Sequence, residues 1–532
     1  GNGPDAFIFA HERVGDWAES GIISDLSDVL SGNVSNSLIS STLDALKYNG
    51  KYWGFPLSFK NAVLFYRTDK VEKVPETTDE LLKAAQSFTD AKNGKYGLAF
   101  EATSAYFAAS FIYGFGGKFC FENGMEREDG MACLDDKGNV KALEFIDDLV
   151  NKSKVTPQEA TSALVTQLFN EGNSAFVING PWFLGEIDKN VPYSVAVLPK
   201  VSESGEVMKP FLTVEAYLVS NHETTNKKGA AEFGKFLVSH DAAKVRAVSG
   251  RQSVATASVY EDEEVATDEI LNVFKKQAEV SVPMSNNPKM RMVWEPLAGA
   301  LRKVLRGADT PENALESAQQ QFKIFSKPLP KAQSPVVFVI ILVIAAVIGL
   351  VFTVRQIKKY KFFEKLMSSP TPYLYLFPAM FSMLVLVFVP FAVGTAVAFF
   401  AHKSGEYQFV GFTNFISILL SKDFPITDSL SFYFTLLVTI LWTAVNVFLH
   451  VSIGLALALM LREPWLKLKG VYRMLLIIPW AVPNYITALI WKGMFNRQFG
   501  AINGILQAIG LEPVSWFSGF WTSFAANVTT NT

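Results

Sequence analysis

The sequence predicts two structural regimes in series: α/β layers over residues 1–325 and an all-α polytopic membrane part beyond residue 335. Three observations carry this. Short apolar runs alternate with amphipathic helical stretches through the first 325 residues. Four long uncharged apolar stretches follow, and a segment holding three prolines, "SKPLPKAQSP" at 326–335, separates the two regimes. Strands alternating with helices point to α/β layers, and a proline-bearing stretch without apolar periodicity reads as a semi-stiff linker.

In the first regime the strand candidates are "DAFIFA", "KYGLAF", "NSAFVING" and "YSVAVLP". One helix is placed by its own start signal. Thr77 and Glu80 in "PETTDELLKAAQSF" have capping-box spacing, and Leu81, Ala84, Ala85 and Phe88 then fall on one apolar face.

In the second regime residues 336–354 carry no charge and, with Pro335, are long enough to cross a bilayer as a helix. Further uncharged stretches cover 373–400, 432–461 and 474–491. The connection "RQIKKYKFFEK" has five Lys/Arg against one Glu, and "LREPWLKLKGVYR" has four against one. The positive-inside rule makes both cytoplasmic, which places residues 1–333 outside the cytoplasm. The reading is therefore a solute-facing domain at 1–325, a linker at 326–335 and a first span at 336–354. A basic cytoplasmic loop at 355–371 and a polytopic membrane domain at 372–532 complete it. An exported domain calls for a preceding signal or span, so the chain reads as processed or as a piece of a longer one.

Composition excludes some functions. A net charge of −2 over 532 residues argues against a nucleic-acid binder. The two cysteines, Cys120 and Cys133, are too few for a zinc site. Strand-like residues flank the Asn123–Gly124 turn between them, so they are either two small buried thiols or a disulfide across a hairpin. "HER" at 11–13 lacks the second histidine of a zinc-protease helix, and "GAAEFGKF" at 229–236 has Phe236 where a P-loop needs Ser or Thr. The chain thus carries no recognisable ATPase or metal site. The "NVS", "NKS" and "NVT" sequons match by pattern only.

Several segments resemble known families. "GPDAFIFAHERVGDWAESGII", "LKYNGKYWGFPLSFKNAVLFYRTD", "AYFAASFIYGFGGKFCFENG", "SAFVINGPWFLGEID" and "VPMSNNPKMRMVWEPLAGAL" resemble, in order, the maltose/maltodextrin-binding proteins. "YQFVGFTNFISILL" and "GVYRMLLIIPWAVPNYITALIWKGMFNRQFGAINGIL" are similar to the maltose permease subunit of sugar ABC importers. The resemblance implies a two-lobed α/β periplasmic-binding-protein fold, incomplete at its N-terminal part, joined to an incomplete permease in a bacterial inner membrane. It implies a maltodextrin-like sugar as ligand. A second permease subunit, ATP-binding subunits and membrane lipid are the other implied partners, with no cofactor.

A pyranose has apolar C–H faces and a rim of hydroxyls, so its site needs aromatic planes and charged or amide groups. By the resemblance, the stacking positions fall on Phe9, Tyr106, Phe107, Trp182 and Trp294, and the hydroxyl-reading pair on Glu12 and Arg13. Three positions depart from the maltose-binder pattern: Lys60 and Ser104 replace glutamates, and Glu295 replaces an aromatic. Lys60 joins the candidate site as a donor, and a disaccharide other than maltose becomes admissible. In the membrane part, Asn446 and His450 lie one helical turn apart, and Pro479 and Pro483 bracket "WAV". These four are either groups near a translocation path or helix-joining and kink residues. Two rival functions are weaker. A membrane-anchored sugar sensor needs fewer spans, and a glycoside hydrolase needs a second carboxylate opposite Glu12.

Overall fold

The computed structural model describes residues 3–120, 132–222, 224–403, 406–497 and 499–532. They form two compact units, Gly1–Ser326 with Val445–Thr532, and Lys327–Ala444.

The first unit is built on two four-stranded sheets, and all four predicted strand runs are strands within them. We number the strands β1 (Ala6–Ala10), β2 (Phe55–Lys60), β3 (Val63–Arg67), β4 (Tyr96–Ala99), β5 (Ser174–Asn179), β6 (Tyr193–Ala196), β7 (Phe211–Val219) and β8 (Val282–Pro283). In the first sheet β7 lies between β1 and β2, antiparallel to both, and β8 joins it in parallel. The second sheet runs β4–β5–β3–β6. Only Asn61 and Ala62 separate β2 from β3, so the chain crosses between sheets there. Asn61 is fully buried, and its side-chain amide donates to the Phe274 carbonyl at 3.1 Å. A buried amide tied to the backbone holds the crossover in one conformation.

Helices cover the sheets with the faces their sequences offer. In the helix Thr78–Phe88, Leu81 and Ala85 are buried, and Ala84 and Phe88 pack against the same core. The Glu80 N–H donates to Thr77 Oγ1 at 3.3 Å, as a capping box requires. The reciprocal bond slips by one residue: Glu80 Oε2 accepts from the N–H of Glu76 at 2.9 Å. The segment "GAAEFGKF" lies within the helix Lys227–Leu237, a setting foreign to a phosphate loop. Cys120 and Cys133 are joined as a disulfide with their Cα atoms 5.5 Å apart. The Asn123–Gly124 turn expected between them lies outside the described residues.

Among the described residues, three helices are long and apolar enough to cross a membrane: Val336–Lys359, Pro370–Val397 and Phe432–Arg462. The fourth apolar stretch differs from the expectation of one span. It divides into the helices Lys469–Ala481 and Asn484–Met494, with Pro483 as the N-cap of the second. Proline has no N–H to donate and its ring clashes with the preceding turn, so the helix ends there and restarts. Pro479 lies inside the first of these helices.

Candidate functional site

A cavity of about 400 Å³ lies between the two sheets, within the size range of small-molecule sites. From the first sheet and its connections come Glu12, Lys60 and Thr213; from the second come Tyr106, Phe107 and Trp182. Trp294 and Met284 also line it. Six of the eight residues singled out in the sequence therefore share one cavity: Glu12, Lys60, Tyr106, Phe107, Trp182 and Trp294.

Phe9 and Arg13 do not reach it. Side chains alternate along β1, and Ala10 lines the cavity. Phe9 therefore points the other way with Phe7, and both rings meet Trp17 edge-on, at 5.1 and 5.3 Å. Arg13 ends the 3₁₀ turn His11–Arg13 and faces Asp16 at 3.9 Å, a carboxylate that also pairs with Arg291 at 2.8 Å.

The aromatic wall is braced from below. Phe211, at the start of β7, is 1% exposed and touches the rings of Tyr106, Trp294, Tyr113 and Phe119 at centroid distances of 5.5–6.2 Å. Tyr106 also meets Phe107 edge-on at 5.4 Å and lies 6.0 Å from Trp182. Trp182 itself is 41% exposed and presents its ring to the opening. Gly180 makes room for that ring. A Cβ at position 180 would come within 2.2 Å of it.

The polar groups sit on the alternating face of the first sheet. Registry places Ala10 beside Glu215 on β7, Ser58 beside Glu215, and Lys60 beside Thr213. Lys60 Nζ donates diagonally to Glu215 Oε1 at 2.6 Å. Burial raises the Glu12 carboxyl above its ordinary range, and its Oε2 has no hydrogen-bond partner among the described residues. Glu101 is raised by burial too, with Glu186 adding to the effect. Burial pushes the Tyr106 phenol up to about 12, and with Thr213 beside it the hydroxyl still finds no well-aligned hydrogen bond among the described residues. The cavity thus offers aromatic faces together with polar atoms, Glu12 Oε2 and the Tyr106 hydroxyl, that the described residues leave unused, a combination suited to a polyhydroxylated ligand.

His11 positions this wall without lining it. It is fully buried; Nδ1 accepts from the Val214 N–H at 3.0 Å and Nε2 donates to the Met284 carbonyl at 2.6 Å. Burial lowers its pKa to about 4, so the ring is neutral at physiological pH.

Four lining residues lay outside the sequence-based set: Ala10, Glu101, Thr213 and Met284. Thr213 was signalled, with Glu215, as a polar residue spaced by two within the apolar strand "FLTVEAYLV". Of the three departures, only Lys60 enters the cavity. Ser104 is the N-cap of the helix Ala105–Gly114, and Glu295 is engaged with Arg302 at 2.5 Å. Among the C-terminal helices, Asn446 accepts from the Asn531 side-chain amide at 3.0 Å and His450 Nε2 meets the Asn531 carbonyl at 2.9 Å. Both engage the helix Phe520–Asn531, as helix-joining residues do.

The profile of the bacterial extracellular solute-binding protein family matches residues 1–273. The maltotriose-binding protein of Pyrococcus abyssi is 27% identical over 314 residues, which are 58% of this chain and 66% of that protein. The crystal structure of a cyclo/maltodextrin-binding protein complexed with maltotetraose superposes with a TM-score of 0.57 at 27% identity, covering 62% of this chain and 84% of that one. A galactooligosaccharide transport system permease protein of Bacillus subtilis is 32% identical over 163 residues, 29% of this chain and 38% of that protein. The chain therefore spans under two-fifths of the permease relative and about two-thirds of the binding-protein relative.

Proposed function

Because this chain belongs to the bacterial extracellular solute-binding protein family, we propose that its cavity binds a malto-oligosaccharide or related oligosaccharide outside the cytoplasm. In the same reading, the C-terminal helices pass that sugar through the membrane as part of an ATP-driven importer. The convergence of Glu12 and Lys60 from one lobe with Tyr106 and Trp182 from the other carries the reading. A ligand touching both lobes favours the closed state by its differential affinity, which is the signal an importer needs. ATP hydrolysis belongs to separate subunits, and a second permease subunit completes the pore. The basic connections at 355–371 and 461–473 face the cytoplasm, and residues 1–333 lie outside.

Delivery to the chain's own membrane part has support in the first unit. Asn496 donates to Glu159 at 3.3 Å, Arg306 pairs with the same carboxylate at 3.5 Å, and Arg306 lies over the Phe517 ring at 5.8 Å. A short tether keeps the binding part at an effective concentration of about millimolar near its receiver, so weak contacts suffice. Galacto-oligosaccharides form the second reading, favoured by the 32% identity of the permease part to a galactooligosaccharide permease.

Isothermal titration of the full chain in nanodiscs against α-1,4-glucan and β-1,4-galactan oligosaccharides tests the ligand. Saturable binding of either series is expected, and heat from neither would overturn the reading. A protease site placed within 326–335 tests delivery. Cleavage should collapse uptake in vesicles carrying the partner subunits, and undiminished uptake would exclude the tether.

A further inference from the structure

The proline-bearing segment 326–335 is not a free connector. The boundary between the two compact units falls between Ser326 and Lys327, so residues 327–335 belong with the first two spans. The connection that follows the second span holds them there. It opens with an antiparallel hairpin of β9 (Phe400–Lys403) and β10 (Glu406–Phe409). It then turns at Gly411 into the helix Thr413–Leu419.

Lys327, Pro330 and Gln333 are engaged, at intervals of three residues. Lys327 pairs with Asp423. The Pro330 carbonyl accepts from the Gln408 side-chain amide at 3.0 Å. Gln333 is held twice: its N–H donates to the Phe409 carbonyl at 2.9 Å, and its side-chain amide donates to Thr413 Oγ1 at 3.1 Å. A polyproline II segment has three residues per turn and no internal hydrogen bonds. Every third residue therefore faces one way, and its backbone groups stay free for a partner. Pro328 and Pro330 fix the backbone φ near the value this conformation needs.

The connection is built to receive it. Gly411 has a φ of +58°, and a Cβ there would come within 2.5 Å of Gln333 Oε1 and 3.3 Å of the Phe338 ring. Phe338, in the first turn of the span Val336–Lys359, meets the rings of Phe399, Phe409 and Phe412 at 5.0–5.7 Å. Val410, between two of these rings in sequence, is fully buried. The topology proposed above puts linker and connection on the same outer side, since the first span runs inward and the second returns.

We propose that the connection between the second and third spans is a recognition surface for a polyproline II strap, occupied by the chain's own linker. The linker is then a fixed strap, and the joint left free is the chain beside Ser326. Released, residues 326–335 would span at most about 35 Å; docked, they add no reach of their own. The proposal rests on the delivery reading above only for its effect on uptake.

Trypsin reads the docking in the full chain in nanodiscs. Lys327 precedes a proline, which blocks cleavage, so Lys331 is the one tryptic site in the linker. Cleavage of such a segment follows the population in which it is open. Gln408→Ala and Thr413→Val together remove both side-chain hydrogen bonds to the linker and should raise the rate after Lys331 about tenfold. Hydrogen exchange at the Gln333 N–H should rise by a similar factor. Wild-type rates equal to those of a free peptide of this sequence overturn the docking, as do equal rates in wild type and variant. In vesicles carrying the partner subunits the double variant should take up sugar several-fold more slowly, because a longer tether lowers the effective concentration. Undiminished uptake with a released strap overturns the strap's part in delivery. A chain that takes up no sugar while its strap is protected overturns the sugar reading alone.

Discussion

Lys60 and Glu215 are diagonal neighbours across β2 and β7, joined at 2.6 Å, and their pair separates two cavities that share one tryptophan. The lysine is 40% exposed, so its attraction to Glu215 is weakened by solvent. Partly exposed pairs of this kind contribute about 0–1 kcal/mol to stability. Lys60→Met should therefore leave the unfolding midpoint of the apo chain nearly unchanged while lowering sugar affinity about tenfold, equivalent to about 1.4 kcal/mol. Calorimetric titration and thermal unfolding on one preparation measure both. A fall in stability without a fall in affinity would make the pair structural.

Glu12 is expected to trade stability for binding. Its carboxylate is raised by burial and Oε2 has no partner among the described residues, so the ionised form is disfavoured in the folded apo chain. A raised acid binds its proton more tightly when folded, so stability declines as pH rises above the ordinary value of 4.5. Glu12→Gln removes the charge and should stabilise the apo chain at pH 7 by about 1 kcal/mol, a gain that fades toward pH 4.5. Affinity for sugar should fall about tenfold at the same time, because an amide offers one acceptor where the carboxylate offers two. Tryptophan-detected unfolding at the two pH values, with titration at pH 7, tests this.

Much of the fold was legible because its signals are local. Period-two apolar runs marked the strands, and Thr77 with Glu80 marked a helix start. The structure departs from expectation where one residue of phase matters. On β1 the aromatic Phe9 invites a ligand-facing role, yet alternation assigns that face to Ile8 and Ala10. No propensity rule states which face of an edge strand meets a cavity; pairing with β7 decides it. Thr213 was readable as a polar residue in an apolar strand. Met284 and Ala10 carry no chemical signal, and their places follow from tertiary packing alone. The fourth apolar stretch was long enough to span, but Pro483 divides it into helices of 13 and 11 residues.

Gly180 is expected to act through Trp182. A methyl group at this position would come within 2.2 Å of the indole, which is 41% exposed and can move aside. Gly180→Ala should shift the tryptophan emission on sugar addition and weaken binding several-fold, with little loss of thermal stability. Trp182→Ala should weaken binding further, by about tenfold or more, since aromatic contacts of this kind contribute about 0.5–1.5 kcal/mol beyond area burial. Equal affinity of Gly180→Ala and the wild type would separate the ring's position from recognition.

His11 gives the molecule its clearest pH response. The buried ring joins the Val214 N–H to the Met284 carbonyl, and it does so only when neutral, because the first bond needs an unprotonated Nδ1. Its folded pKa of about 4 lies below the ordinary value of 6.5. Between those values the unfolded chain takes up a proton that the folded chain refuses. Stability is therefore fully present above pH 6.5 and is lost as pH falls toward 4, by on the order of 3 kcal/mol. His11→Ala should abolish this part of the pH dependence. It should also destabilise the binding part at neutral pH by about 2–4 kcal/mol, through two unpaired backbone groups and a cavity. His11→Gln, which can supply one acceptor and one donor, should recover part of that stability without restoring the pH slope. Thermal unfolding of the three chains between pH 4 and pH 8 decides the matter, and a slope retained in His11→Gln would assign the response to another group.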